Sequence, residues 1–150
     1  MVDYKQSIAY YRKILQHFKH IIMTYYFNTK LSGDFESVKK RLIAELEKEG
    51  FGILTEIDVQ ATFKKKLDVD FRKYQILGAC SPSFAHKALK AEDKVGTMLP
   101  CNVIMQELEN GEIEVAAVNA TASMQAIENK ELAAIASEIS GRLEKVIAAL

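Results

Sequence analysis

The sequence predicts an α/β (α+β) two-layer sandwich, with helices packed on a mixed sheet of about five strands, in the order α-β-α-β-α-β-α-β-β-α. Three observations carry this prediction. Segments whose apolar residues recur at steps of three and four alternate along the chain with segments rich in β-formers. Asn110-Gly111 lies between two apolar runs, the strongest short hairpin signal there is. The chain has 150 residues, 49% of them hydrophobic and 27% charged, and a chain of that size buries roughly 68–70% of its unfolded surface in one core.

Tyr4, Ile8, Tyr11, Leu15, Phe18 and Ile22 form one stripe, so residues 1–22 read as an amphipathic helix. Thr24 to Thr29 reads as a strand. Ser32-Gly33-Asp34 breaks it, with Asp34 as N-cap of a helix carrying Phe35, Val38, Leu42 and Leu46 and stopping at Gly50. Ile53, Thr55, Ile57 and Val59 alternate with Leu54, Glu56 and Asp58 in a second strand. Gln60 to Leu67 suits a short helix, and Tyr74 to Cys80 a third strand. Ser81-Pro82 starts a helix, Ser as the cap and Pro at the first helical position, where its missing N–H costs nothing. Leu99 to Leu108 and Glu112 to Val118 form the hairpin. Leu132, Ile135, Ile139, Leu143, Val146 and Leu150 mark a long final helix, which Gly141 weakens by about 1 kcal/mol relative to Ala.

A two-residue turn at Asn110-Gly111 sets Leu108 opposite Ile113, Gln106 opposite Val115 and Ile104 opposite Ala117 as the core side. The other side then pairs Glu107 with Glu114, Met105 with Ala116 and Val103 with Val118, and reaches Cys101. Its Val103/Met105/Val118 end is apolar on both faces and needs a cover. A partner subunit is the preferred cover, and the N-terminal helix its rival.

Composition excludes several classes. Twenty basic residues balance twenty acidic ones, so the chain as a whole has no basic footprint for nucleic acid. No apolar run reaches the ~18–20 residues of a membrane span, and charges at Arg12, Lys13 and Lys19 interrupt any signal-peptide core. Two cysteines are too few for a secreted disulfide framework, so a reducing cytoplasm is expected. Residues 1–22 carry a net +3 and leave −3 on the remainder. A basic amphipathic helix can lie on a membrane, but docking on its own domain or a partner subunit is the commoner use of such a stripe.

Three motifs carry a family resemblance: Glu49-Gly50-Phe51-Gly52-Ile53-Leu54-Thr55-Glu56-Ile57-Asp58-Val59, then Tyr74-Gln75-Ile76-Leu77-Gly78-Ala79-Cys80-Ser81-Pro82, then Leu99-Pro100-Cys101-Asn102-Val103. In this order they resemble the domain-of-unknown-function family 302 over about residues 23–125. Ser81 stands where that family commonly has Asn, and either residue caps a helix. The resemblance implies a small two-layer dimer of bacteria and archaea, with no established reaction. It divides the chain into an extension, residues 1–22, and one domain, residues 23–150. The extension is either an added helix or the product of an upstream start codon.

Cys80 and Cys101 sit in two of these motifs. Cys80 precedes a helix start, where the dipole favours a thiolate. If the strands of the two thiols are neighbours, Cys80, Cys101 and His86 form a cluster with redox or metal potential. The plainer reading is two small buried hydrophobes, since there is no Cys-x-x-Cys pair and no fourth zinc ligand. His17 and His20 lack a third ligand, and Glu107, Glu109, Glu112 and Glu114 suit a solvated tip. Gly50-Phe51-Gly52 leads from helix to strand and so is no phosphate loop. Ser81, Ser83 and His86 lack the third residue of a triad.

The expected function is a homodimeric ligand-binding or interaction domain without a catalytic constellation or cofactor. Its small-molecule site is expected at Cys80, Ser81, His86, Cys101 and Asn102. The alternative is thiol- or metal-dependent redox activity centred on Cys80, Cys101 and His86. A purely structural dimer is the third reading, since backbone needs alone explain Gly78, Pro82 and Pro100.

Overall fold

The computed structural model describes residues 24–150, so the expected N-terminal helix lies outside the described residues. Strand β1 (Tyr26–Leu31) leads to helix α1 (Phe35–Lys48), β2 (Gly52–Asp58), α2 (Val59–Leu67), β3 (Tyr74–Cys80) and α3 (Pro82–Ala91). A 3₁₀ turn over Asp93–Met98 precedes β4 (Cys101–Glu107) and β5 (Ile113–Val118), then a short α4 (Ala120–Ser123) and the long α5 (Lys130–Ala149).

The five strands form one sheet in the order β1-β5-β4-β3-β2. Every adjacent pair is antiparallel, so the mixed sheet expected from the sequence is corrected. Parallel neighbours need a long, usually helical, connection, but a helical connection does not by itself make the strands it joins parallel. Here α1 carries the chain from one edge strand, β1, to the opposite edge, β2. The connections through α2 and α3 then each return to an antiparallel neighbour.

Local signals place the helices. Asp34 accepts a hydrogen bond from the Ser37 amide at 2.9 Å, the Ser37 side chain and then its amide hold the Asp34 carboxyl below the usual range, and Gly50 leaves α1 at φ +82°. Asp58 caps α2 and Asn129 caps α5 in the same way. Ser81 departs from expectation: its side chain makes no capping bond. Its carbonyl instead accepts from the Phe84 and Ala85 amides at 3.1 and 2.9 Å, and Pro82 supplies the first turn.

The hairpin corrects the expected register by one residue. Glu107 opposes Ile113, Gln106 opposes Glu114, Met105 opposes Val115 and Val103 opposes Ala117. The Leu108 amide donates to the Glu112 carbonyl at 2.8 Å and the Gly111 amide to Leu108 at 2.9 Å, so the loop holds Glu109, Asn110 and Gly111. A two-residue type I′ turn needs positive φ at both central residues; here Gly111 alone has it, at +83°. A slip of one residue exchanges a strand's faces. Ile113, Val115 and Ala117 point into the core as expected, but on β4 the core set is Cys101, Val103 and Met105. Val103 and Met105 are 0% exposed beneath α1 and α5, in one cluster with Leu42, Leu46, Leu143 and Val146. They are therefore no interface, and a charge at Met105 unfolds the domain instead of splitting a dimer.

Asn119 ties the two layers together. Its amide donates to the Tyr25 carbonyl at 2.8 Å and its side-chain Nδ2 to Thr24 at 2.9 Å. Its Oδ1 accepts from the Ala122 amide at 3.2 Å and from Ser140 Oγ of α5 at 3.1 Å. Asn119→Ala is expected to cost about 2–4 kcal/mol in urea unfolding, with Asn119→Asp between the two. A loss under about 0.5 kcal/mol means the network is unimportant. Gly78 has a steric duty: a Cβ there would lie 2.2 Å from Thr55 Oγ1 and 2.7 Å from Pro100 Cγ. Gly78→Ala should destabilise by about 1–3 kcal/mol, and Thr55→Ala in the same chain should recover part of it. Strictly additive losses would contradict this crowding.

Candidate functional site

Two of the concave places on the domain are lined by residues expected in the site. The first is an apolar cleft where the end of β3 and the start of β4 meet α3, α4 and α5. Cys80, Ser81, Phe84, Cys101, Met124 and Ile135 are among its lining residues. Its free volume is about 30 Å³, room for an atom or a water and too little for an organic molecule.

Cys101 is buried and Cys80 half-buried, and both are free. The helix-start argument anticipates a lowered thiol pKa at Cys80, and the structure corrects it: burial pushes the Cys80 thiol up. Burial, with Cys80 close enough to add repulsion, pushes Cys101 up to about 11. Desolvation outweighs the helix terminus because the lining offers the thiolate almost no polar partner.

The structure divides the five expected site residues. Cys80, Ser81 and Cys101 line the cleft. His86 is exposed on α3 and is not part of the lining, so the Cys/Cys/His cluster does not form. Among the described residues no three His, Cys, Asp or Glu side chains gather in a metal-holding group. Asn102 is exposed and lines the second concavity. Ser83 is exposed like His86, so the weak Ser81/Ser83/His86 drawing has no enclosed site either.

The second concavity lies on the sheet face opposite α1 and α5. Cross-strand pairing aligns Asn28, Ala116, Ile104, Ile76 and Ile57 in one row, which gives an apolar band across four strands. Beside it Lys30, Glu114, Gln106 and Tyr74 form a polar row. Glu114 accepts from Asn28 and Gln106, each at 2.7 Å, and Gln106 Oε1 accepts from Arg72 Nε at 2.8 Å. The Arg72 guanidinium lies 4.7 Å from the Phe71 ring centre and 5.7 Å from that of Tyr74. Tyr25, Tyr26 and Tyr74 help to enclose a free volume of about 380 Å³. Helix α2 packs chiefly against β2 and β3 and buries none of its own residues. Of the lining of this concavity, sequence reasoning assigned only Asn102 to a site. The signal was present in the alternation of Tyr74, Ile76 and Gly78, but the hairpin register hid its continuation on β4.

The family model for the domain of unknown function DUF302 matches residues 27–150. A crystal structure of an uncharacterized conserved DUF302 protein from Bacillus stearothermophilus is similar, with 27% identity and a TM-score of 0.77. The match covers 83% of this chain and 97% of that one. No curated protein matches.

The thiols supply a test by pH. Because both pKa values are raised, native-state alkylation should be slow at neutral pH and climb about tenfold per unit up to pH 9. The more accessible Cys80 should react before Cys101. A plateau below pH 8, or faster reaction at Cys101, would contradict the assignment.

Proposed function

The chain belongs to the DUF302 family, and from that premise we propose that it is a non-enzymatic interaction domain that pairs with a second copy of itself through the open face of its sheet. The observation that carries this reading is the apolar band of Ala116, Ile104, Ile76 and Ile57 on the face that α1 and α5 leave free. An antiparallel sheet tolerates a wet face when that face is polar; this one is apolar at its centre and polar along one side. Such a pattern, an apolar middle with a hydrogen-bonded rim, is the anatomy of a protein interface.

A second copy is favoured over residues 1–22 as the cover. The Bacillus chain is nearly all domain and the family match starts at residue 27, so a cover common to both proteins comes from the domain itself. Two such faces meeting about a two-fold axis are self-complementary. Two free thiols, one buried and one half-buried, suit a reducing compartment, and we infer a cytoplasmic location. Among the described residues no helix is long and apolar enough to cross a membrane.

Light scattering or sedimentation of the full chain tests the reading. A dimer is expected, and Ile104→Glu should raise its Kd by about a hundredfold or more while leaving the fold intact, because the position lies outside the core. His86→Glu on the helix layer should change nothing. A monomer at micromolar concentration, or a dimer indifferent to Ile104→Glu, would overturn it.

A further inference from the structure

The polar row on the open face carries its charges in a definite order. Gln106 sits on β4, the central strand of the five. It accepts from Arg72 Nε at 2.8 Å on the β3 side and donates to Glu114 of β5 at 2.7 Å on the other. One cation and one anion thus flank a neutral residue at the middle of the sheet. Among the described residues neither has an ion-pair partner. The Phe71 and Tyr74 rings and the Nε bond hold the guanidinium, while its Nη groups make no hydrogen bond among the described residues. Asn28 and Gln106 give Glu114 one donor each, so each carboxylate oxygen keeps a lone pair for a further bond. Lys30 opposes Glu114 in register and makes no ion pair with it.

We propose that two copies meet about a two-fold axis running along β4, so that Arg72 of each chain pairs with Glu114 of the other. This rests on the face-to-face pairing proposed above and names the contact that orients it. An axis along the central strand sets β4 over the partner's β4 and β3 over the partner's β5. The polar row then meets its own copy in reverse order. Arg72 faces the partner's Glu114, Gln106 faces the partner's Gln106, and the apolar band covers the apolar band. The free fork of a guanidinium matches a carboxylate. An axis across the strands fails on charge. Over the polar row, it sets Glu114 against the partner's Glu114. Over the apolar band, register sets Glu114 against the partner's Val118, and Arg72 over the end of β3 at the partner's Gly78. Covering an unpaired charge in that way is costly, so only the axis along β4 satisfies both ions.

Sedimentation of charge-reversed full chains tests the contact. Arg72→Glu and Glu114→Arg should each raise the dimer Kd about a hundredfold, because each sets like charges together twice. An equimolar mixture of the two variants should dimerise about as tightly as the unaltered chain, since every mixed contact joins opposite charges. Lys90→Glu, the same charge change on an exposed helix residue, should neither weaken the dimer nor rescue Glu114→Arg. If Glu114→Arg fails to fold, Arg72→Ala and Glu114→Gln keep the test. Each should weaken the dimer about tenfold, and the two together little more than either alone. A dimer that Ile104→Glu dissociates but neither reversal weakens would overturn this contact and leave the face pairing intact. Reversals that weaken the dimer without complementing each other in the mixture, or strictly additive losses in the milder pair, would overturn it as well. A monomeric chain, or a dimer indifferent to Ile104→Glu, would overturn both readings.

Discussion

The left-handed backbone at Gly111 is the constraint on which the rest of the molecule depends. With positive φ at that residue alone, the hairpin closes around Glu109, Asn110 and Gly111, and β4 meets β5 one residue away from the two-residue alternative. Because side chains alternate along a strand, this step decides the destination of every β4 residue. It sends Cys101, Val103 and Met105 under the helices and leaves Asn102, Ile104 and Gln106 on the other face. Asn110 reinforces the turn, with Oδ1 accepting from the Glu112 amide at 3.1 Å and Nδ2 donating to its carboxylate at 2.6 Å. The two concavities are consequences of this one turn. Burial of Cys101 sets it in the lining of the apolar cleft, and the place of half-buried Ile104 on the outer face completes the apolar band.

Those two places divide polar chemistry in opposite ways. On the open face the polar groups satisfy one another, since Glu114 has both oxygens engaged and Gln106 both donates and accepts. Such a set fixes side chains and leaves the neighbouring apolar band as the surface with unspent association energy. In the cleft the thiols have almost nothing polar to bond and are held protonated by burial. Asn119 links the two regions mechanically, joining the backbone that leads into β1 to Ser140 on α5.

Much of this was legible in the sequence. The stripe of Phe35, Val38, Leu42 and Leu46, the Asp34 cap and the Gly50 stop each stand on a local rule, and the structure keeps all of them. Strand β3 and the long α5 also fall where periodicity puts them, with α5 continuous through Gly141. The antiparallel order was not legible, because periodicity says that a segment is a strand and nothing about which strand lies beside it. The face of β4 was missed for a sharper reason. Val103, Ile104 and Met105 are apolar in succession, so hydrophobicity cannot choose between registers one residue apart. Asn-Gly also fits both a two-residue turn and a three-residue loop. Of the candidate site, motif membership located Cys80, Ser81 and Cys101, which the cleft brings together. It misplaced His86, whose sequence distance from Cys80 says nothing of which side of α3 it occupies, and it overlooked Met124 entirely.

The register of the hairpin is the claim beneath all of this, and cross-strand nuclear Overhauser contacts measure it directly on the isotope-labelled chain. The account predicts backbone contacts linking Val103 with Ala117 and Met105 with Val115. Contacts linking Ile104 with Ala117 and Gln106 with Val115 instead would return Met105 to the outer face and contradict the core, the cleft and the apolar band together.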